Sequence, residues 1–157
     1  MSIETLAEKV VNELKKNGLK VAFAESCTGG MLSSAITSVA GSSDVLEVSV
    51  TTYANRAKIE YTDVTEEILS THGAVSEQTA VLMATGIRKR AKSDIGIGIT
   101  GLAGPGGDER NPVGTVYISI DSIILNTKCQ HFVFEGNRQK VREQATIEAL
   151  KMIEDCF

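Results

Sequence analysis

The segment LKVAFAESCTGGMLSSAITSVAG, residues 19–41, joins an apolar run to a polar turn and then to an amphipathic stretch. The run LKVAFA (19–24) is apolar enough to form a buried strand. Residues 29–39 have the spacing of a helix, and AGSS (40–43) ends it. The segment therefore predicts a strand, a tight turn and a helix, which is the repeating unit of a layered α/β fold.

The alternation of strand and helix continues on both sides of this segment. Helical patterns cover residues 3–17, 55–61, 65–71, 76–91 and 138–153, and strand patterns cover 45–53, 94–99, 113–120 and 128–135. The last two strands follow each other without a helix, so part of the sheet is expected to be antiparallel. A length of 157 residues suits a single domain over 1–157, for which we predict the α/β fold class.

The composition is typical of a soluble globular protein and argues against several classes of partner. The net charge is −4 and basic residues are scattered among acids, so no footprint for nucleic acid is expected. No apolar run is long enough to cross a bilayer, and the amphipathic N-terminus lacks a signal-peptide core. We therefore expect a cytoplasmic protein whose partners are neither nucleic acids nor membranes.

Cysteine and histidine are too few for the commonest metal and catalytic arrangements. The three cysteines, Cys27, Cys129 and Cys156, are odd in number and share no CxxC spacing, which argues against a disulfide framework or a zinc site. The two histidines, His72 and His131, stand in contexts more typical of structural residues. We therefore expect no metal and no cofactor.

Three predicted strands end in unusual turns: ESCTGG (25–30), TTYANRAK (51–58) and TGLAGPGG (100–107). Ligands of open α/β sheets bind beyond the carboxyl ends of the strands, so these turns predict one site. In the first turn, Ser26 precedes a helix N-terminus that favours an anion, and the glycines let a ligand approach the backbone. The alternative is that Ser26 and Thr28 only cap the helix.

The second turn contains Tyr53, Asn55 and Lys58. If a helix begins near Asn55, its dipole opposes a charge on Lys58, and burial would also lower the pKa of this lysine. A neutral lysine can act as a base toward a serine hydroxyl, so the scarcity of histidine favours a Ser26–Lys58 pair. A solvated surface lysine is the alternative. Cys27 is a rival nucleophile, although adjacent side chains point in different directions.

The third turn and the last helix offer groups for an anionic ligand. Four glycines in TGLAGPGG present backbone N–H groups to an anion, although a mobile surface loop would also explain them. Arg138 opens the last helix and Arg142 follows one turn later on the same face. This pair predicts a phosphate or carboxylate ligand, with an ion pair to Glu135 as the alternative.

Six motifs, taken in order, resemble the C-terminal domain of the CinA (competence/damage-inducible protein) family. They are AESCTGG (24–30), TTYANRAK (51–58), HGAVSEQTA (72–80), TGLAGPGG (100–107), NPVGTVYISI (111–120) and GNRQKVREQA (136–145). Several stand-alone relatives are nicotinamide-nucleotide amidases of the PncC type. The resemblance implies a three-layer α/β/α sandwich with a mixed, mostly parallel sheet. It also implies hydrolysis of nicotinamide mononucleotide to nicotinate mononucleotide and ammonia.

The resemblance implies roles for single residues as well. Ser26 matches the nucleophile, Lys58 the lysine that activates it, and Tyr53 a tyrosine beside that pair. The expected substrate contacts, among them a turn that lines the amide and an arginine suited to the phosphate, are Cys27, Thr28, Gly29, Gly30, Asn55, Thr100, Gly101 and Arg138. A homodimer is expected from the family alone.

The chain departs from the family pattern at two places. Val48 and Ser49 stand where many members have two glycines, and this change is expected to reshape the pocket. Asn137 stands where many members have aspartate, and asparagine still caps a helix. Two classes of function therefore stay open: an amidohydrolase that uses Ser26, and a non-catalytic module that binds a nucleotide or phosphate ligand.

Overall fold

Five strands form one mixed sheet in the computed structural model, which describes residues 1–157. The strands are β1 (Val21–Glu25), β2 (Leu46–Thr51), β3 (Ile95–Gly101), β4 (Thr115–Ser122) and β5 (Lys128–Val133), arranged in the order β2-β1-β3-β4-β5. β1 pairs in parallel with β2 and β3, whereas β4 is antiparallel to both β3 and β5. Four strands therefore point the same way, and the predicted antiparallel part of the sheet is confirmed.

Six α-helices cover the two faces of the sheet and complete the predicted three layers. They are α1 (Ile3–Asn17), α2 (Met31–Thr37), α3 (Asn55–Tyr61), α4 (Glu66–His72), α5 (Glu77–Ala91) and α6 (Arg138–Glu154). α1, α2 and α6 pack together on one face, and α5 packs on the other with α3 and α4 beside it. No helix combines the length and the apolar character that crossing a bilayer requires.

The alternation of side chains along β1 divides the core in two. Val21 and Phe23 belong to the large cluster beneath α1, α2 and α6, whereas Ala22 and Ala24 belong to a smaller cluster beneath α5. The side chains toward α5 are small because this helix lies close to the sheet. A Cβ added at Gly98 would overlap the Ala80 carbonyl oxygen and lie 2.7 Å from the Ala84 nitrogen. The glycines of DIGIGI (94–99) thus permit close packing of α5 on β3.

The predicted start of α2 and the predicted end of β2 were each wrong by two residues. α2 begins at Met31 rather than residue 29, because Gly29 and Gly30 adopt φ values of 59° and 96°, which a helix does not permit. β2 ends at Thr51 rather than Tyr53, because the carbonyls of Thr52 and Tyr53 turn to accept hydrogen bonds from Lys58. Both differences lengthen the turns at the carboxyl ends of the strands.

Candidate active site

The turns that follow β1, β2 and β3 meet around a cavity of about 270 Å³. Eight of the residues expected at a site line it: Ser26, Cys27, Tyr53, Asn55, Lys58, Thr100, Gly101 and Arg138. The remaining wall comes from residues 74–75 and from residues 102–104 and 106 in the glycine-containing loop. The cavity lies at the carboxyl ends of parallel strands, where ligands bind in this class of sheet.

Ser26 and Lys58 form a buried pair in the wall of this cavity. Their relative exposures are 8% and 2%, and Lys58 Nζ lies 3.1 Å from Ser26 Oγ. Lys58 Nζ also donates hydrogen bonds to the carbonyls of Thr52, at 2.8 Å, and Tyr53, at 3.1 Å. The alternative of a solvated surface lysine is therefore wrong.

Burial lowers the pKa of Lys58 from 10.5 to about 8. Desolvation disfavours the charged form, and none of the ion pairs in the chain includes this lysine to offset the effect. The cause is therefore mainly burial. The neutral form, which is the state a base requires, is therefore a minor form of Lys58 at pH 7 and becomes the main form above about pH 8.

Cys27 also lines the cavity but is a poorer nucleophile. Its side chain joins the large apolar cluster, and burial raises the pKa of its thiol to about 12. The thiolate is the reactive form of cysteine, and it is scarce at such a pKa. Lys58 Nζ bonds to Ser26, not to Cys27, so the geometry favours the serine.

The N–H groups at the N-terminus of α2 are hydrogen-bonded to a side chain of the protein, the carboxylate of Glu25. The fully buried carboxylate of Glu25 accepts hydrogen bonds from the N–H groups of Gly30, Leu32 and Ser33, and from Thr28 Oγ1 at 2.6 Å. The expectation that these N–H groups receive a ligand anion is therefore wrong. Glu25 supplies the negative charge that the helix end favours.

Three of the expected ligand contacts lie outside the cavity as a result. Thr28 is fully buried with its hydroxyl on Glu25, and Gly30 is bonded to the same carboxylate. Gly29 lies beside the Arg142 guanidinium, whose Nη2 would be 3.4 Å from an added Cβ. Thr28, Gly29 and Gly30 thus build the turn that carries Ser26, and their side-chain positions do not face the cavity.

The two arginines of α6 face different partners. Arg138 donates to the Gly104 carbonyl at 2.6 Å and to the Tyr53 hydroxyl at 3.0 Å, and it lines the cavity. Arg142 lies outside the cavity and donates to the carbonyls of Cys27 and Thr28, both at 3.1 Å. Neither arginine forms the alternative ion pair with Glu135. The two arginines therefore do not face a common site, and only Arg138 lines the cavity.

The glycine-containing loop is held in place at several points. Arg110 donates to the carbonyls of Ser70 and Thr71 at the end of α4. Asn111 donates to the Val75 carbonyl, and Thr100 Oγ1 donates to the Ala74 carbonyl at 2.7 Å. These bonds attach both ends of the loop to residues 70–75, and Arg138 bonds to the Gly104 carbonyl between them.

The three residues that depart from the family pattern, Val48, Ser49 and Asn137, lie away from the cavity. Val48 and Ser49 belong to the edge strand β2, where they pair with Ala22 and Phe23 of β1, and neither lines the cavity. The expected reshaping of the pocket by these substitutions is therefore not seen. Asn137 caps α6 through a bond from Lys140 N to its Oδ1, as predicted.

The sequence reasoning missed Glu25 and the wall formed by Ala74 and Val75. A lone acid at the end of an apolar strand, directly before a glycine turn, was the available signal for Glu25. Nothing in the apolar pair Ala74–Val75 distinguishes it from core residues. Its place at the cavity depends on the loop contacts of Thr100 and Asn111.

The fold and this cavity define a three-layer α/β protein with a Ser–Lys pair at the carboxyl edge of its sheet. The family model of the CinA C-terminal domain matches residues 3–157. The chain belongs to the CinA C-terminal domain family.

Relatives and solved structures agree with this assignment. A CinA-like protein of Kosmotoga olearia is 46% identical over 151 residues, which is 96% of this chain and 36% of the relative. One from Syntrophus aciditrophicus is 45% identical over 152 residues, again 96% and 36%. A competence/damage-inducible protein of Agrobacterium tumefaciens has a structure with a TM-score of 0.95 at 37% identity, covering 98% of this chain and 94% of that one. The chain thus spans about a third of the length of these two relatives.

Proposed function

We propose that this protein hydrolyses the carboxamide of nicotinamide mononucleotide, giving nicotinate mononucleotide and ammonia. The observation that carries the proposal is the 3.1 Å distance between Lys58 Nζ and Ser26 Oγ inside a cavity. The choice of substrate rests on the resemblance of the motifs to nicotinamide-nucleotide amidases. The proposed hydrolysis rests on the contact between Ser26 and Lys58.

The hydrogen bonds of Lys58 suit the role of a base. The carbonyls of Thr52 and Tyr53 can only accept, so they take two N–H groups of Lys58. When Lys58 is neutral it has only two N–H groups, and its lone pair is left for the third direction. That direction leads to Ser26 Oγ, whose hydroxyl then donates to Nζ. Neutral Lys58 is thereby oriented to remove the serine proton.

The reaction proceeds in two halves with Lys58 carrying the proton. Ser26 Oγ attacks the amide carbon while its proton passes to Lys58 Nζ. The intermediate then expels ammonia, which takes the proton from Lys58, and an ester to Ser26 remains. Water then attacks the ester carbon and gives a proton to Lys58. Lys58 passes this proton to Ser26 Oγ as the ester bond breaks, which restores the Ser26 hydroxyl and releases the carboxylic acid. The sum is one amide and one water converted to a carboxylic acid and ammonia.

Backbone and arginine N–H groups can bind the two negative charges expected in the reaction, the oxyanion of the intermediate and the phosphate of the substrate. The N–H group of Cys27 donates to no acceptor within the chain, and it follows the nucleophile directly. A donor in this position can stabilise the oxyanion of an acyl-transfer intermediate. Arg138 uses one N–H of each terminal nitrogen for Gly104 and Tyr53, which leaves donors for a phosphate.

The test is ammonia release from nicotinamide mononucleotide by the purified protein, with Ser26→Ala as the matched inactive control. Calorimetric titration of the same nucleotide runs beside it. Ammonia release by the parent and not by the variant supports the hydrolase. Binding of the nucleotide without ammonia release by the parent would leave the non-catalytic binding module as the function.

A further inference from the structure

The turn that carries Ser26 is held by few bonds of its own. Within residues 26–30, called here the nucleophile turn, one bond closes the turn internally, from Gly29 N to the Ser26 carbonyl at 3.0 Å. Gly29 and Gly30 both have positive φ, and glycine gives an unsupported segment high conformational freedom. A nucleophile on such a segment needs support from elsewhere in the fold.

One support comes from inside the molecule. Glu25 is fully buried and bonds to Thr28 Oγ1 and to the N–H groups of Gly30, Leu32 and Ser33. This carboxylate joins the end of β1 to the start of α2 across the nucleophile turn. It holds N–H groups at the start of α2, whereas the Thr28 carbonyl accepts from Met31 N at 3.1 Å and the Cys27 carbonyl accepts no backbone hydrogen bond.

Besides the backbone bond from Ser26 N to the Ile99 carbonyl of β3 at 2.9 Å, the turn is supported by Arg142 on α6. Its Nε donates to the Cys27 carbonyl and its Nη2 to the Thr28 carbonyl, so one planar group holds two consecutive peptide units. Gln139 Oε1 accepts from Nη1 at 3.2 Å and helps to orient the guanidinium. Arg142 is half-buried and lies outside the cavity. Nε and Nη2 of Arg142 thus donate to the nucleophile turn and not to the cavity.

We propose that Arg142 is a positioning residue for Ser26, a role that rests on the proposed hydrolase function. The carbonyls of Cys27 and Thr28 belong to the second and third peptide units after Ser26. Fixing them fixes the direction in which Ser26 Oγ meets Lys58 Nζ. A displacement of about 1 Å at a reacting group can reduce a rate by about 100-fold, so loss of this clamp affects the chemical step.

The kinetic test compares Arg142→Ala and Arg142→Lys with the control Lys140→Met, which removes an exposed cation from the same helix. We expect Arg142→Ala to lower kcat by about 100-fold with little change in KM. Arg142→Lys, which has no planar fork, should recover only part of the rate. Added guanidinium ion should partly restore kcat of Arg142→Ala, and Lys140→Met should have the kinetics of the parent.

Two outcomes of these kinetics would overturn the proposal. A raised KM with kcat preserved would show that Arg142 binds the ligand instead, and unchanged kinetics in Arg142→Ala would show that it does not position Ser26.

A second measurement does not depend on activity. Amide hydrogen exchange of the peptide covering residues 26–33 should become about tenfold faster in Arg142→Ala, because a charge-assisted contact is lost. The same peptide should be unchanged in Lys140→Met. If the parent releases no ammonia, the proposed function fails, but exchange still decides whether Arg142 holds the turn. Equal exchange in the parent and Arg142→Ala would overturn the clamp.

Discussion

Lys58 is the residue whose environment most affects the expected chemistry. It is 2% exposed, and its ammonium group bonds to a hydroxyl and two carbonyl oxygens without a carboxylate partner. Burial of a charge without an opposite charge favours the neutral form. Burial of Lys58 without a carboxylate partner therefore destabilises the folded state at low pH, where the lysine is charged. The same burial favours the neutral side chain, which can accept a proton.

The pH dependence of the reaction follows from the pKa of Lys58. Because burial lowers it to about 8, the neutral base becomes the main form above that pH. We expect kcat/KM to rise with pH and to level off above about 8. Initial rates of ammonia release across the pH range provide the measurement. A rate that falls as pH rises through this window would require a protonated lysine and contradict the assigned role.

The same pKa shift predicts how Lys58→Met changes stability. The folded-state pKa is about 8 and the ordinary value is 10.5, so between these values the unfolded state binds more protons and stability rises with pH. Charged Lys58 costs the folded protein roughly 3 kcal/mol on the acid side of this window. Urea denaturation should show Lys58→Met gaining stability over the parent more at about pH 7 than at about pH 10. Equal gains at both pH values would contradict the lowered pKa.

Arg138→Ala is expected to weaken binding more than chemistry. Arg138 lines the cavity with donors still available, but it does not contact Ser26 or Lys58. Loss of a charge-assisted bond to phosphate is worth about 1.5–3 kcal/mol. We expect KM to rise about tenfold or more with kcat nearly preserved. Steady-state kinetics beside Lys140→Met test this, and a normal KM would mean that Arg138 serves only Gly104 and Tyr53.

At the scale of elements, the packing of α5 on β3 sets the position of the site. Glycines at 96 and 98 let the helix backbone approach the strand, and β3 leads directly into the loop that forms one wall of the cavity. A side chain at either glycine must push α5 away or distort the strand. Overpacking of this kind costs about 1–3 kcal/mol.

Gly98→Ala therefore tests the contact between α5 and β3. The added Cβ would overlap backbone atoms of α5, whereas a Cβ at Gly106 in the cavity loop meets nothing within 4 Å. We expect Gly98→Ala to lower the free energy of unfolding by about 1–3 kcal/mol. Gly106→Ala should change it by less than about 0.5 kcal/mol. Urea denaturation compares the two, and equal stabilities would mean that α5 does not pack against β3 as closely as described.

Elements were predictable from the sequence wherever periodicity and turn residues agree. Asn137 and Ser76 mark the starts of α6 and α5 because each accepts a bond from the N–H three residues later. The start of α2 was not predictable in this way. Its N-terminal N–H groups are satisfied by Glu25, which belongs to the preceding strand, and this is a tertiary relation that local spacing does not reveal.

At the scale of the whole molecule, the sheet order brings the site together. Ser26 and Lys58 are 32 residues apart in the chain, and Arg138 bonds to Tyr53 across 85 positions. The sequence could predict that the carboxyl ends of strands share an edge, and hence that these residues meet. It could not predict that Arg142 faces the nucleophile turn while Arg138 faces the cavity, because both lie on one face of the same helix.

The most direct test of the central claim is ammonia release from nicotinamide mononucleotide in the presence of EDTA, by the parent, Ser26→Ala and Cys27→Ala. A serine nucleophile with a lysine base needs no metal, so the parent should keep its activity. Ser26→Ala should lose several orders of magnitude in kcat while remaining folded, and Cys27→Ala should retain substantial activity. Activity in Ser26→Ala together with its loss in Cys27→Ala would contradict the assigned nucleophile.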